Sequence, residues 1–208
     1  MTKIDFTLTQ PELSPLLIVI SGPSGIGKDT VVQGLKAREL PFHFVITATS
    51  RLPRDYEKDG MDYFFYSHEE FERMIEAGEF LEHAWVYSNY KGVPKSQVRE
   101  ALASGEDVVM RLDVQGAQIV HTLCPDAIKI FLTAKSKSEW LQRLRNRRSE
   151  TDVELNLRIE TARKEYETLD SFDYIVINEE DKLDHTLDVI ESIIAAEHHR
   201  VHPRKVTL

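Results

Sequence analysis

The chain has 208 residues, 41% of them hydrophobic and 29% charged, enough for one domain with a sizeable core. No apolar run approaches the ~20 residues of a membrane helix, the net charge of −9 argues against a general nucleic-acid surface, and Cys124 has no second cysteine to pair with. The opening MTKIDFTLTQPELSP lacks the apolar core of a secretory leader and the arginines of an organellar one. A cytoplasmic protein working without membrane or nucleic acid is therefore expected.

Residues before Leu16 read as an irregular arm. Leu16 to Ile20 is a continuous apolar run, the pattern of a strand buried on both faces. It enters Gly22, Pro23, Ser24, Gly25, Ile26, Gly27 and Lys28, and Thr30 to Glu39 is then compatible with a helix. Strand, glycine-rich turn and helix is the setting of a phosphate-binding loop. The glycines let backbone N–H groups converge on a polyphosphate, and the helix turns its positive end to the same place. Lys28 would reach the terminal phosphates. After Gly-Lys the motif wants Ser or Thr for magnesium, and Asp29 stands there instead. Its carboxylate is a hard oxygen ligand that could bind magnesium directly or through one water, or it could cap its own helix.

Phe42 to Ile46 reads as a second buried strand. The segment from Thr47 to Tyr63 is too polar for core and is punctuated by Pro53 and Gly60. It carries Arg51 and Arg54, each able to fork two donors onto phosphate oxygens; a solvated basic loop is the plainer reading. Tyr63 to Tyr66 is expected as a short strand, Glu69 to Ala77 as a helix closed by Gly78, Glu79 to Val86 as a strand, and Ser88 to Gly92 as a turn. Lys95 to Ser104 reads as a helix ending at Gly105. Asp107 to Leu112 resumes the doubly wound pattern, with Asp113 at the strand's C-terminal end, the edge where open parallel sheets bind ligands. Gln115 to Leu123 (helix) and Ile128 to Leu132 (strand) follow. Ser138 to Arg147 is an arginine-loaded helix, Val153 to Leu169 a long charged one, Tyr174 to Ile177 a last strand, and Lys182 to Glu197 the closing helix. The tail HHRVHPRKVTL has no periodicity and is expected to be mobile; its histidines suit a frayed end better than a metal site.

Taken together, GPSGIGK, the S-R-x-P-R segment at Ser50 to Arg54, DGMDYFF, GEFLE ending at Glu82, DVQGA from Asp113, and IVIN ending at Asn178 resemble guanylate kinases in order and spacing. The resemblance runs from about Leu16 to Glu197. It implies an α/β P-loop kinase: a central parallel sheet flanked by helices, a small mixed α/β GMP-binding insertion and a helical lid. The implied division is core 1–46, GMP-binding region 47–93, core 94–132, lid 133–163, and core with C-terminal helix and tail 164–208. Lys28 and the loop from Gly22 to Thr30 would hold ATP, with Asn178 at the adenine. Thr47, Arg51, Arg54, Tyr63, Glu82, Lys91 and Asp113 would form the GMP site. Arg143, Arg147 and Arg158 would descend with the lid onto the transferring phosphate, with Arg51 and Lys28 completing the catalytic set. Asp29 and Asp113 would meet the magnesium that accompanies ATP.

The implied reaction is magnesium-dependent transfer of the ATP γ-phosphate to GMP, and to dGMP, in purine nucleotide metabolism. Guanine offers two adjacent donors, N1–H and the exocyclic amine, that suit one carboxylate, Glu82, whereas adenine presents an acceptor at N1. The alternative is a catalytically impaired guanylate-kinase-like module that binds phosphoproteins; such modules typically lose the loop and lid cations kept here. Self-association is left open. Four residues depart from the family pattern: Asp29 for the hydroxyl residue, Lys91 for a tyrosine, Val93 for a hydroxyl residue and Arg111 for an aspartate. This charge set is similar to variants from plant organelles and some bacteria.

Overall fold

The computed structural model describes residues 14–86, 88–145 and 152–207. The first strand, β1 (Leu17–Ser21), is buried at all five positions, as its unbroken apolar run requires. Ile18 and Ile20 pack into one hydrophobic cluster and Leu17 and Val19 into another, because successive side chains leave a strand on opposite faces. The chain then turns through the glycine loop into α1 (Lys28–Ala37) and returns along β2 (Phe42–Phe44).

Next comes a smaller unit: β3 (Ala48–Thr49), β4 (Phe64–Phe65), α2 (His68–Glu76), β5 (Phe80–Val86) and β6 (Asn89–Pro94). Helix α2 begins with a reciprocal cap, in which Ser67 accepts from the Glu70 N–H while the Glu70 carboxylate accepts from the Ser67 N–H. The chain re-enters the main body through α3 (Lys95–Ser104), β7 (Asp107–Arg111), α4 (Val114–Leu123), β8 (Ile128–Thr133), α5 (Lys137–Arg145), α6 (Asp152–Tyr166), β9 (Tyr174–Ile177) and α7 (Leu183–His198).

The main sheet is parallel, in the order β2-β7-β1-β8-β9. Its two faces are covered by α1 and α7 on one side and α3 and α4 on the other, the doubly wound arrangement expected of the sequence. The second sheet runs β4-β3-β6-β5 with mixed direction. Its own core is the aromatic stack of Phe71, Phe80 and Tyr90.

Three local expectations are corrected. The turn read at Ser88 to Gly92 is mostly strand β6, paired with β5 and β3. Polar Thr49 and Ser50 are buried in and beside β3, because their hydroxyls are satisfied: Thr49 Oγ1 donates to the Tyr90 carbonyl at 3.0 Å and Ser50 Oγ accepts the Tyr90 N–H at 2.7 Å. The tail is docked. Arg204 donates to Glu197 at 2.8 Å and to Asp173 at 3.2 Å, and Val206 packs on the core. His198 pairs with Asp107. The N-terminal arm lies outside the described residues.

Burial alone would raise the Glu197 carboxyl, yet Arg204, Tyr174 and Arg200 together bring it down to about 2. Its share of stability is thus fully present above the ordinary carboxylate range and is lost as pH falls toward 2. Arg204→Ala removes one of the two arginines that compensate this almost fully buried carboxylate and is expected to lower unfolding free energy by about 2 kcal/mol. Denaturant titration at pH 7 checks this; an unchanged midpoint would show that the tail does not anchor the fold.

Candidate active site

The strands β1, β7 and β8 end together, at Ser21, Arg111 and Thr133, and the glycine loop rises from that edge. Two of its glycines are required by close packing. A Cβ on Gly22, at φ 138°, would lie 2.4 Å from the Leu132 carbonyl oxygen, and one on Gly27, at φ 95°, 2.5 Å from Asn178 Nδ2. Lys28 folds back over the loop and donates to the carbonyls of Gly22 and Pro23. Thr30 is exposed on the first turn of α1.

The loop is held from behind by Asn178, just after β9, and by residues of α5 and α6. Asn178, only 6% exposed, donates to the Ile26 carbonyl at 2.9 Å. Arg143 donates to the same carbonyl at 3.3 Å and to the Asn178 carbonyl at 2.8 Å. The Trp140 indole N–H donates to the Ser24 carbonyl at 2.9 Å, and Arg158 donates to the Ser24 hydroxyl. Both α5 and α6 therefore already touch the loop. Arg147 lies outside the described residues.

In front of the loop is a cavity of about 280 Å³, bordered by Ser24 to Asp29, Thr47, Tyr63, Glu82, Ala84, Lys91 and Arg111 to Asp113. Glu82 reaches it from β5, 8% exposed. Helix α4 approaches so closely that a Cβ on Gly116 would lie 3.2 Å from Glu82 Oε2. Burial first, and then the negative charge of Asp113, push the Glu82 carboxyl up to about 8, against the pull of Lys91. Lys91 is lowered by burial and by the like charge of Arg51. Asp113 caps α4, accepting the Gly116 N–H at 2.8 Å.

The two arginines of the 50–54 segment stand beside this cavity and do not border it. Arg51 forks onto both oxygens of Glu57 at 2.6 Å and lies over the rings of Tyr63 and Phe65, at 5.0 and 5.5 Å. Glu57 also accepts the Arg54 N–H at 2.8 Å, and the Arg51 guanidinium brings its carboxyl down to about 2. Arg54 is exposed and donates to the Tyr56 hydroxyl at 2.9 Å.

Asp29 pairs with Arg111, which projects from the end of β7. No cluster of three potential metal ligands occurs among the described residues. Asp29 and Asp113 nevertheless border one cavity with Lys28. Two carboxylates completed by phosphate oxygens and water are a donor set that magnesium accepts, so the residues fit a metal that arrives with a nucleotide.

Residues 14–197 match the family described as guanylate kinase. The chain belongs to the guanylate kinase family. It is 47% identical over 199 residues to a chloroplastic/mitochondrial guanylate kinase 2 of Oryza sativa subsp. japonica, covering 95% of this chain and 70% of that one. It is 40% identical to a guanylate kinase of Clostridioides difficile, over 89% of this chain and 90% of that one. The crystal structure of a guanylate kinase from Anaplasma phagocytophilum superposes with a TM-score of 0.70 at 26% identity, over 91% and 89% of the two chains. Among the described residues of this guanylate kinase family member, no helix is long and apolar enough to cross a membrane.

Sequence reasoning missed two residues and one pairing that shape the site. Glu57 organises both arginines, but a carboxylate six residues from its arginine has no periodic signal. Trp140 was legible in principle, since a lone tryptophan on a charged helix must bury its ring and find a partner for its N–H. The mutual pairing of Asp29 and Arg111 spans 82 residues, and only the parallel register of β1 and β7 brings them together.

Proposed function

We propose that the protein transfers the γ-phosphoryl group of ATP to GMP, and to dGMP, giving ADP and GDP or dGDP, with magnesium accompanying ATP. The observation that carries this reading is one cavity shared by a phosphate loop and a buried carboxyl, Lys28 on one side and Glu82 on the other. The loop amides and Lys28 bind the β- and γ-phosphates, Lys28 exchanging its loop carbonyls for phosphate oxygens. Ionised Glu82 accepts from guanine N1–H and the exocyclic amine, and Thr47 can donate to O6. Arg51, Arg54, Tyr63 and Lys91 take the acceptor phosphate.

The acceptor phosphate is already nucleophilic at neutral pH, because its second pKa is about 6. No general base is required, and the residues align the two phosphates, neutralise charge and exclude water. Magnesium, when bound with ATP, supplies charge neutralisation at the phosphates, held by Asp29 and Asp113. Core 1–46, 94–132 and 164–208 would form the fixed body, with 47–93 closing over GMP and 133–163 over ATP. Arg143 and Arg158 would follow that lid from the loop to the transferring group. We place the enzyme in the cytoplasm, which the lone Cys124 supports.

A phosphoprotein-binding module gains no support from the site, since Lys28, Arg143 and Arg158 are all in place. Single-turnover reaction with γ-labelled ATP and GMP tests the proposal. Label should pass to GDP with little released as inorganic phosphate; label released mainly as phosphate would make the protein a nucleotide hydrolase instead.

A further inference from the structure

The cavity holds a pair of charges whose presence the transfer reaction does not by itself explain. Asp29 opens α1 directly after Lys28, and its side chain is 68% exposed; the Arg111 side chain, at 35%, is half-buried at the end of β7. Arg111 borders both the main cavity and the adjoining one that contains Glu57 and Tyr63. It therefore stands between the ATP loop and the acceptor side. Burial disfavours its charge, yet a guanidinium stays protonated at any working pH, so it must find an anion. In this structure that anion is Asp29.

We propose that Arg111 is a phosphate-binding residue held in reserve by Asp29, and that the two part when magnesium and ATP arrive together. This rests on the function proposed above. Asp29 exchanges Arg111 for the incoming cation, and Arg111, so released, forks onto the terminal phosphate between donor and acceptor. The physical reason is charge balance. An intact pair is neutral and offers a tetra-anionic nucleotide almost nothing, while a carboxylate left beside metal-free phosphates repels them. With the cation present, Asp29 gains a harder partner than a guanidinium. The fork of Arg111 suits a phosphate as well as it suits a carboxylate. The pair thus makes tight nucleotide binding conditional on the metal.

Titration calorimetry of the full chain with ATP, once in EDTA and once in excess magnesium, reads the exchange. Asp29→Asn should tighten metal-free ATP about tenfold, the worth of one charge-assisted hydrogen bond. It should weaken binding in magnesium, because a ligand of the cation is lost. Adding Arg111→Gln to Asp29→Asn should return metal-free affinity to that of the unaltered protein, since neither charge then remains. The opposite signs with and without metal are something a merely structural pair would not produce. Melting curves verify that each variant folds; Asp29→Ser serves if Asn does not. Equal signs in the two conditions, or a gain that survives Arg111→Gln, would overturn the proposal. These titrations need no acceptor, so failure to phosphorylate GMP would count against the proposed function and not against the exchange.

Discussion

Replacing Lys28 by methionine is expected to lower kcat about a thousandfold with ATP and GMP, while the melting temperature stays within a few degrees of the unaltered protein. The magnitude follows from removing one charged donor that acts where negative charge gathers on the transferring group, worth roughly 10²–10³ in rate. The fold should survive because the loop does not depend on this side chain. Gly22 and Gly27 are fixed by their contacts with Leu132 and Asn178. Arg143, Trp140 and Asn178 grip the loop carbonyls from behind. Lys28 donates to the Gly22 and Pro23 carbonyls, bonds that the proposed reaction would exchange for phosphate oxygens. ATP binding should weaken modestly, since the loop amides remain. Turnover near that of the unaltered protein would remove Lys28 from the reaction.

Glu82→Gln is expected to make the empty protein more stable and the enzyme far worse. Pushed up to about 8, mainly by burial, the Glu82 carboxyl binds its proton more tightly in the folded than in the unfolded chain. Folding stability should therefore fall as pH rises from the ordinary carboxylate range, near 4.5, to about 8, and level off beyond. The loss at pH 7 would be on the order of 3 kcal/mol. Glutamine stays neutral throughout, so its variant should lack that slope. Guanine, in contrast, needs the ionised form to accept two donors. GMP affinity should rise between pH 7 and 8.5, where the substrate phosphate is already dianionic, and binding at pH 7 should release a proton from Glu82. In Glu82→Gln one acceptor becomes a donor facing guanine's own donors, and kcat/KM for GMP should fall by about 2–4 kcal/mol, roughly thirty- to a thousandfold. Calorimetry in buffers of different ionisation enthalpy counts the proton. An unchanged preference for GMP over AMP would assign base recognition to another residue.

The main sheet was legible because its inner strands are mostly apolar, β1 unbroken from Leu17 to Ile20, β8 interrupted by Lys129 and β7 flanked by Asp107 and Arg111, the composition of strands buried on both faces. The phosphate loop was legible because its chemistry is contiguous in sequence. Strands β3 and β6 escaped for the opposite reason. Two and six residues long, they are polar on much of their length, and hydroxyl–backbone bonds at Thr49, Ser50 and Tyr90 do the work that side-chain burial does elsewhere. The tail escaped because its anchor is a few charges that reach across α7 to Asp173, and no repeat announces an ion pair. In the site the residues came from motifs, but their resting partners did not. Asn178, expected at the adenine, is buried beneath Gly27, and Arg51 is held by Glu57. Asp29 is met by Arg111, from the other side of the cavity. A motif supplies the candidate groups; the fold decides which neighbours each one touches.

The central claim is that one cavity joins an ATP loop to a guanine reader. Coupled ADP production with magnesium and ATP, comparing GMP, dGMP, AMP, CMP and UMP as acceptors, tests it most directly. GMP and dGMP should be phosphorylated with kcat/KM at least about a thousandfold above the other three, the discrimination open to a buried site that pairs specific donors. Transfer to AMP or to a pyrimidine nucleotide at a comparable rate, or no acceptor-dependent ADP at all, would contradict it.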